Sequence, residues 1–112
     1  MNLIYHIARR EEWQTALTSG IYTTESLSKE GFIHFSRRDQ VALVANRFYA
    51  GQKDLILLSV DPNKLGGMLK YEAVDEEIFP HLYGALNIDA VVEVFDFQPY
   101  KDGTFTLPDK IV

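Results

Sequence analysis

Apolar and polar positions alternate with period two over residues 2–7, setting Leu3, Tyr5 and Ile7 against Asn2, Ile4 and His6, the pattern of a strand. The period then lengthens. Trp13, Ala16 and Leu17 recur at the i, i+3, i+4 spacing of a buried helical stripe, and Gly20 closes that helix as a C-terminal cap. Residues 22–28 are polar and broken, suited to a turn or to a short capped helix holding Leu27. Alternation returns over residues 30–36, which read as a strand with Phe32, His34 and Ser36 on one face and Ile33 and Phe35 on the other.

Ser36, with Asp39 three residues on and an apolar run beyond, predicts a helix over residues 36–50 with Val41, Val44, Ala45 and Phe48 as its buried stripe. Gln40, Leu43 and Arg47 fall on an adjoining stripe that runs back towards Ser36. Residues 54–60 are almost continuously apolar and read as a fully buried central strand. Met68–Val74 reads as an edge strand with Lys70 and Glu72 on one face, and Asp75, Glu76 and Glu77 as an acidic turn. Residues 79–84 read as a rigid loop in which Pro80 and Gly84 hold His81 and Tyr83 in a set geometry. A strand over residues 90–97 and an extended tail over 98–112, with one short strand at 104–107, complete the chain. Strands outnumber helices without regular βαβ alternation, so a single α+β domain over residues 1–112 is expected.

Composition narrows the chemistry. The 112 residues suffice for one core without staples, and the absence of cysteine removes disulfides, thiolate nucleophiles and cysteine-based metal sites. A net charge of −5 argues against a nucleic-acid partner, whose backbone asks for a field of Lys and Arg. No apolar run approaches the ~18 residues of a membrane span, and no leader-like pattern opens the chain. A cytoplasmic protein with a small-molecule ligand and no membrane partner is expected.

The chemistry-bearing residues are three histidines. His6, His34 and His81 stand in aromatic settings, where burying an imidazole without partners costs about 1–3 kcal/mol. Each therefore either bonds within the core or opens onto a cleft, and the second reading predicts that all three converge there with Ser36 and Tyr83. The helix start at Ser36 offers free N–H groups to an anion, with Arg47 as its anchor. His34, in mid-strand beside Phe32 and Phe35, is expected to be partly desolvated and to matter most, donating through one ring nitrogen and accepting through the other. A metal triad of the three histidines lacks any local ligand spacing such as His-x-x-x-His, and no metal is expected.

Several segments together carry a resemblance: Ile4-Tyr5-His6-Ile7, the stretch from Glu30 to Ser36 followed by Gln40, Ala45-Asn46-Arg47-Phe48-Tyr49, Asp54-Leu55-Ile56-Leu57-Leu58, and Phe79-Pro80-His81-Leu82-Tyr83-Gly84. In this order, over nearly the whole chain, they resemble the small bacterial family DUF952. The resemblance implies a fold like that of the ADP-ribosyltransferases, a split mixed sheet holding NAD in a central cleft. It implies a ribose-contacting His6 on the first core strand, His34 with Ser36 at the second position, and a catalytic carboxylate for which Glu72 and Glu93 are the candidates. Ser36, Gln40, Arg47, His81 and Tyr83 then form the nucleotide clamp and phosphate anchor. The implied activity is NAD-dependent ADP-ribosyl or phosphoryl transfer to an unknown acceptor. The alternative is a module that holds a nucleotide or phosphorylated metabolite without turning it over. RNA 2′-phosphate transfer, known in the same superfamily, sits poorly with the acidic chain.

Overall fold

The computed structural model describes residues 2–111; Val112, the last residue of the predicted tail, lies outside the described residues. The first strand, β1 (Ile4–Arg9), runs straight into helix α1 (Arg10–Ser19). Trp13 and Ala16 bury the inner face of α1, and Gly20, at φ 95°, returns its N–H to the Ala16 carbonyl at 2.8 Å. Leu17, expected in the buried stripe, is 55% exposed, because the strip covered by Trp13 and Ala16 is narrower than the full i, i+3, i+4 face.

A two-residue strand β2 (Ile21–Tyr22) leads to helix α2 (Glu25–Glu30), whose first turn is capped by Thr24 Oγ1 accepting the Leu27 N–H at 3.2 Å. Gly31 ends α2 at φ 90° and turns the chain into β3 (Ile33–His34). The predicted strand over residues 30–36 is thus shorter, since Glu30 is still helical, but its alternation survives. Ile33 and Phe35 are buried while His34 points outward.

Ser36 corrects the next expectation. Its N–H donates to the Tyr5 carbonyl at 2.7 Å and its carbonyl accepts the Tyr5 N–H at 2.9 Å, so it is a β-bridge residue and not a helix cap. The chain then makes a 3-10 turn over Arg38–Gln40 before helix α3 (Val41–Phe48) begins, five residues later than expected and ending two earlier.

Strand β4 (Leu55–Val60) is buried along its whole length, as its sequence required. It lies between β1 and β8 (Val91–Phe97), antiparallel to both, with Ile4 opposite Val60 and Leu55 opposite Phe97. One apolar cluster covers one face of this sheet with Ile4, Ala8, Trp13, Ile33, Phe35 and Leu82, and a second covers the other with Tyr5, Ile7, Val41, Phe95, Phe97 and Phe105.

The second three-stranded sheet has the order β3-β6-β5, with β5 (Met68–Val74) at the predicted edge and β6 (Glu77–Tyr83) in the centre. Asp75 and Glu76, both at positive φ, form the tight turn between them. Residues 79–84 are therefore mostly strand, not loop. Pro80 sits in the central strand with its polar edge facing Phe35, just past the last rung of β3, and its carbonyl accepts the Phe35 N–H at 3.0 Å. A short β7 (Leu86–Asn87) pairs with β2. Every strand pairing among the described residues is antiparallel, so the expected mixed sheet is replaced by antiparallel sheets in an α+β domain. The tail forms no strand at residues 104–107; Asn46 instead clasps Phe105, accepting its N–H at 2.7 Å and donating to its carbonyl at 3.0 Å. Among the described residues no helix is long and apolar enough to cross a membrane.

Candidate functional site

The two larger sheets touch through the Tyr5–Ser36 bridge and then part. Tyr5 directs both its backbone polar groups at Ser36, and Ile7, two residues along the same strand edge, faces the same way. No backbone group among the described residues pairs with Ile7 on that edge. The gap beside it is a cleft of about 720 Å³, bordered by β1, α1, α2, α3 and the face of β3 and β6. A second depression of about 500 Å³, around Gly51, Lys53, Tyr100 and Lys101, holds none of the histidines.

His6, His34, His81 and Ser36 all line the larger cleft. His6 is buried, and both its nitrogens are engaged: Nδ1 lies 2.6 Å from the His34 carbonyl and Nε2 2.9 Å from the Tyr22 hydroxyl. A carbonyl only accepts, so Nδ1 carries the proton and Nε2 accepts from Tyr22. Burial pushes the His6 pKa down to about 4, which keeps the ring neutral, and raises that of Tyr22. With no lone pair to spare, His6 cannot join a metal triad. The desolvated histidine is thus His6, and the expectation of a desolvated His34 fails: the His34 side chain is 52% exposed, because Phe35 points to the opposite face of its strand.

His34 and His81 sit opposite one another on β3 and β6, their rings 5.4 Å apart and nearly perpendicular. His34 Nε2 donates to Glu30 Oε1 at 3.3 Å. His81 is 3% exposed, with Phe32 stacked on it at 4.0 Å, and its Nδ1 lies 2.9 Å from Glu72 Oε1. The same oxygen accepts the Tyr83 hydroxyl at 2.6 Å. These two donors hold the Glu72 carboxyl below its usual range, and the carboxylate in turn raises the Tyr83 pKa. Ser36 is 6% exposed, and its hydroxyl makes no hydrogen bond among the described residues.

Other expected site residues fall elsewhere. Glu72 and Tyr83 stand behind His81 and do not line the cleft. Gln40 is fully committed within the fold: it accepts the Arg37 N–H at 2.9 Å and donates to the Ile78 carbonyl at 2.9 Å and to Glu77 at 3.1 Å. Arg47 is on the exposed side of α3, its guanidinium over the Phe48 ring, while Val44 and Phe48 line the cleft; Phe48, expected to be buried, is 65% exposed there. Glu93 lies on β8 opposite Ser59, also off the cleft. What the sequence reading missed is the acidic wall: Glu11 and Glu12 from α1, Glu25 and Glu30 from α2, with Arg9 the single Arg or Lys on the lining. The Glu30 to His34 spacing carried a signal, but only the turn at Gly31 brings the two together.

The family model described as "Protein of unknown function (DUF952)" matches residues 7–94. The chain belongs to the DUF952 family. Among solved structures, this DUF952 chain is similar to protein CC0527 from Caulobacter crescentus. The crystal structure of that protein superposes with a TM-score of 0.87 at 36% identity, covering 94% of each chain. Its solution NMR structure gives a TM-score of 0.83 at 37% identity over 96% of this chain and 94% of that one. No curated protein matches the sequence.

Proposed function

We propose that the cleft binds the nicotinamide ribosyl end of NAD and that the domain is an ADP-ribosyltransferase-like enzyme. The observation that carries this reading is the parting of the two sheets, which leaves the Ile7 peptide edge facing a wall that bears His34 and His81. A peptide edge offers one donor and one acceptor, the complement of a carboxamide. Glu11, Glu12, Glu25 and Glu30 supply negative potential that suits a cationic heterocycle and the positive charge that develops on a ribosyl carbon as its C–N bond lengthens. His34, with Nε2–H held by Glu30, keeps Nδ1 as an acceptor for a ribose hydroxyl. The pyrophosphate fits less well, since Arg9 is the lone cationic side chain on the lining and shares itself with Glu12 at 3.9 Å. When bound, NAD would supply a ribosyl group with a good leaving base; the chain's part is to orient it and exclude water.

One observation favours the non-catalytic module as a second reading: Glu72, the carboxylate implied by the family resemblance, is tied to His81 and Tyr83 and does not line the cleft. Isothermal titration with NAD, run beside an assay for free nicotinamide, separates the two. Binding with release supports the enzyme, binding without release supports the module with NAD as its ligand, and no binding by NAD removes the enzyme and leaves the module to another nucleotide or phosphorylated metabolite.

A further inference from the structure

His81 is the best-held polar group in the cleft. Strand register puts it on the same face as His34, Ser36, Phe79 and Glu72, and the stacked Phe32 ring fixes its plane. Glu72 is ionised and can only accept, so His81 Nδ1 carries the proton that bridges them. In the neutral ring Nε2 then keeps its lone pair, and among the described residues nothing bonds to it. His81 lines the cleft with a side chain only 4% exposed, and Nε2 is the one ring nitrogen left for whatever fills the cleft. The Tyr83 hydroxyl, at 2.6 Å from the same Glu72 oxygen, locks the carboxylate in turn. A base oriented by a carboxylate, itself oriented by a third group, is the arrangement of a general base.

We infer that His81 Nε2 is the proton acceptor of this site, acting on the hydroxyl of water or of a small alcohol, with Glu72 and Tyr83 as positioning residues. The inference rests on the NAD reading for its ribosyl donor. The hydroxyl proton moves to Nε2 as the oxygen bonds to the anomeric carbon. The C–N bond breaks with both electrons passing to the cationic base, which leaves neutral, and the imidazole proton is lost to solvent. His34, half exposed and held only by Glu30 at 3.3 Å, serves to bind the ribosyl group.

Two readouts test the assignment. Long-range 15N–1H correlation spectra of the free protein at a pH where the ring is neutral should show His81 protonated at Nδ1 and bare at Nε2, with Glu72→Gln scrambling the tautomer. Nicotinamide release from NAD in water should fall at least about 100-fold in kcat, with KM held within about threefold, in His81→Asn, whose side-chain N–H still reaches Glu72. Should that variant unfold, Glu72→Gln must lower kcat about tenfold or more at unchanged KM. A proton on Nε2 of the neutral ring, or wild-type turnover in these variants, overturns the assignment and leaves the NAD reading standing. A wild-type protein that releases no nicotinamide overturns both.

Discussion

His6 donates its Nδ1 proton to the backbone carbonyl of His34 across 2.6 Å, so one histidine holds the strand that presents another. Its second nitrogen takes the Tyr22 hydroxyl at 2.9 Å, which ties β1, β2 and β3 to one imidazole. Protonating that ring would leave Tyr22 facing a donor in a buried site. The folded pKa of about 4 lies below the ordinary 6.5, so the unfolded chain binds the proton more readily. Stability from His6 is therefore full above pH 6.5 and lost as pH falls towards 4, on the order of 3 kcal/mol across the window. Urea unfolding at pH 7 and pH 4.5 should show this loss, and His6→Gln should remove its slope. A wild-type slope unchanged by the substitution would sink the assignment.

Tyr83→Phe removes the shorter of the two hydrogen bonds on Glu72. The Glu72 pKa should then rise towards the ordinary carboxylate value, as read by carboxyl 13C titration. The depressed value means that the ionised network contributes fully above the ordinary carboxylate range and is lost as pH falls below that range and through the depressed value. In the converse experiment, Glu72→Gln should bring the raised Tyr83 pKa down, measured by ultraviolet titration. Titration curves that do not move would show the two groups to be uncoupled.

His34→Gln tests binding against bracing. With a side chain 52% exposed, His34 should lose less than about 0.5 kcal/mol of stability on substitution. Affinity for NAD should fall about tenfold, roughly 1.4 kcal/mol. A lower melting temperature with unchanged affinity would make His34 a structural residue.

The two arginines considered as anchors should separate cleanly. Arg47→Met is expected to leave NAD affinity within about twofold, whereas Arg9→Met, on the cleft lining, should weaken it several-fold at low salt and less at high salt. Equal effects by calorimetry would refute this placement of the phosphates.

What the sequence determined by itself is local. The apolar run of β4, the glycine cap of α1, the edge position of β5 and the shared face of Ile33 and Phe35 follow from periodicity and backbone sterics, which act over a few residues. Family membership was legible too, because the motifs span the chain. The tertiary structure decided the rest through partners distant in sequence. Pro80 argued against a strand until its polar edge was found to face the end of β3, and Ser36 read as a helix cap until Tyr5 took both its peptide groups. That bridge delays α3, whose exposed side carries Arg47 and whose cleft side carries Val44, the face its sequence stripe had assigned. Three histidines looked alike in sequence; their surroundings made one a buried pin, one a half-exposed contact and one a carboxylate-held base, because an imidazole's role is set by what meets each nitrogen and how much water remains.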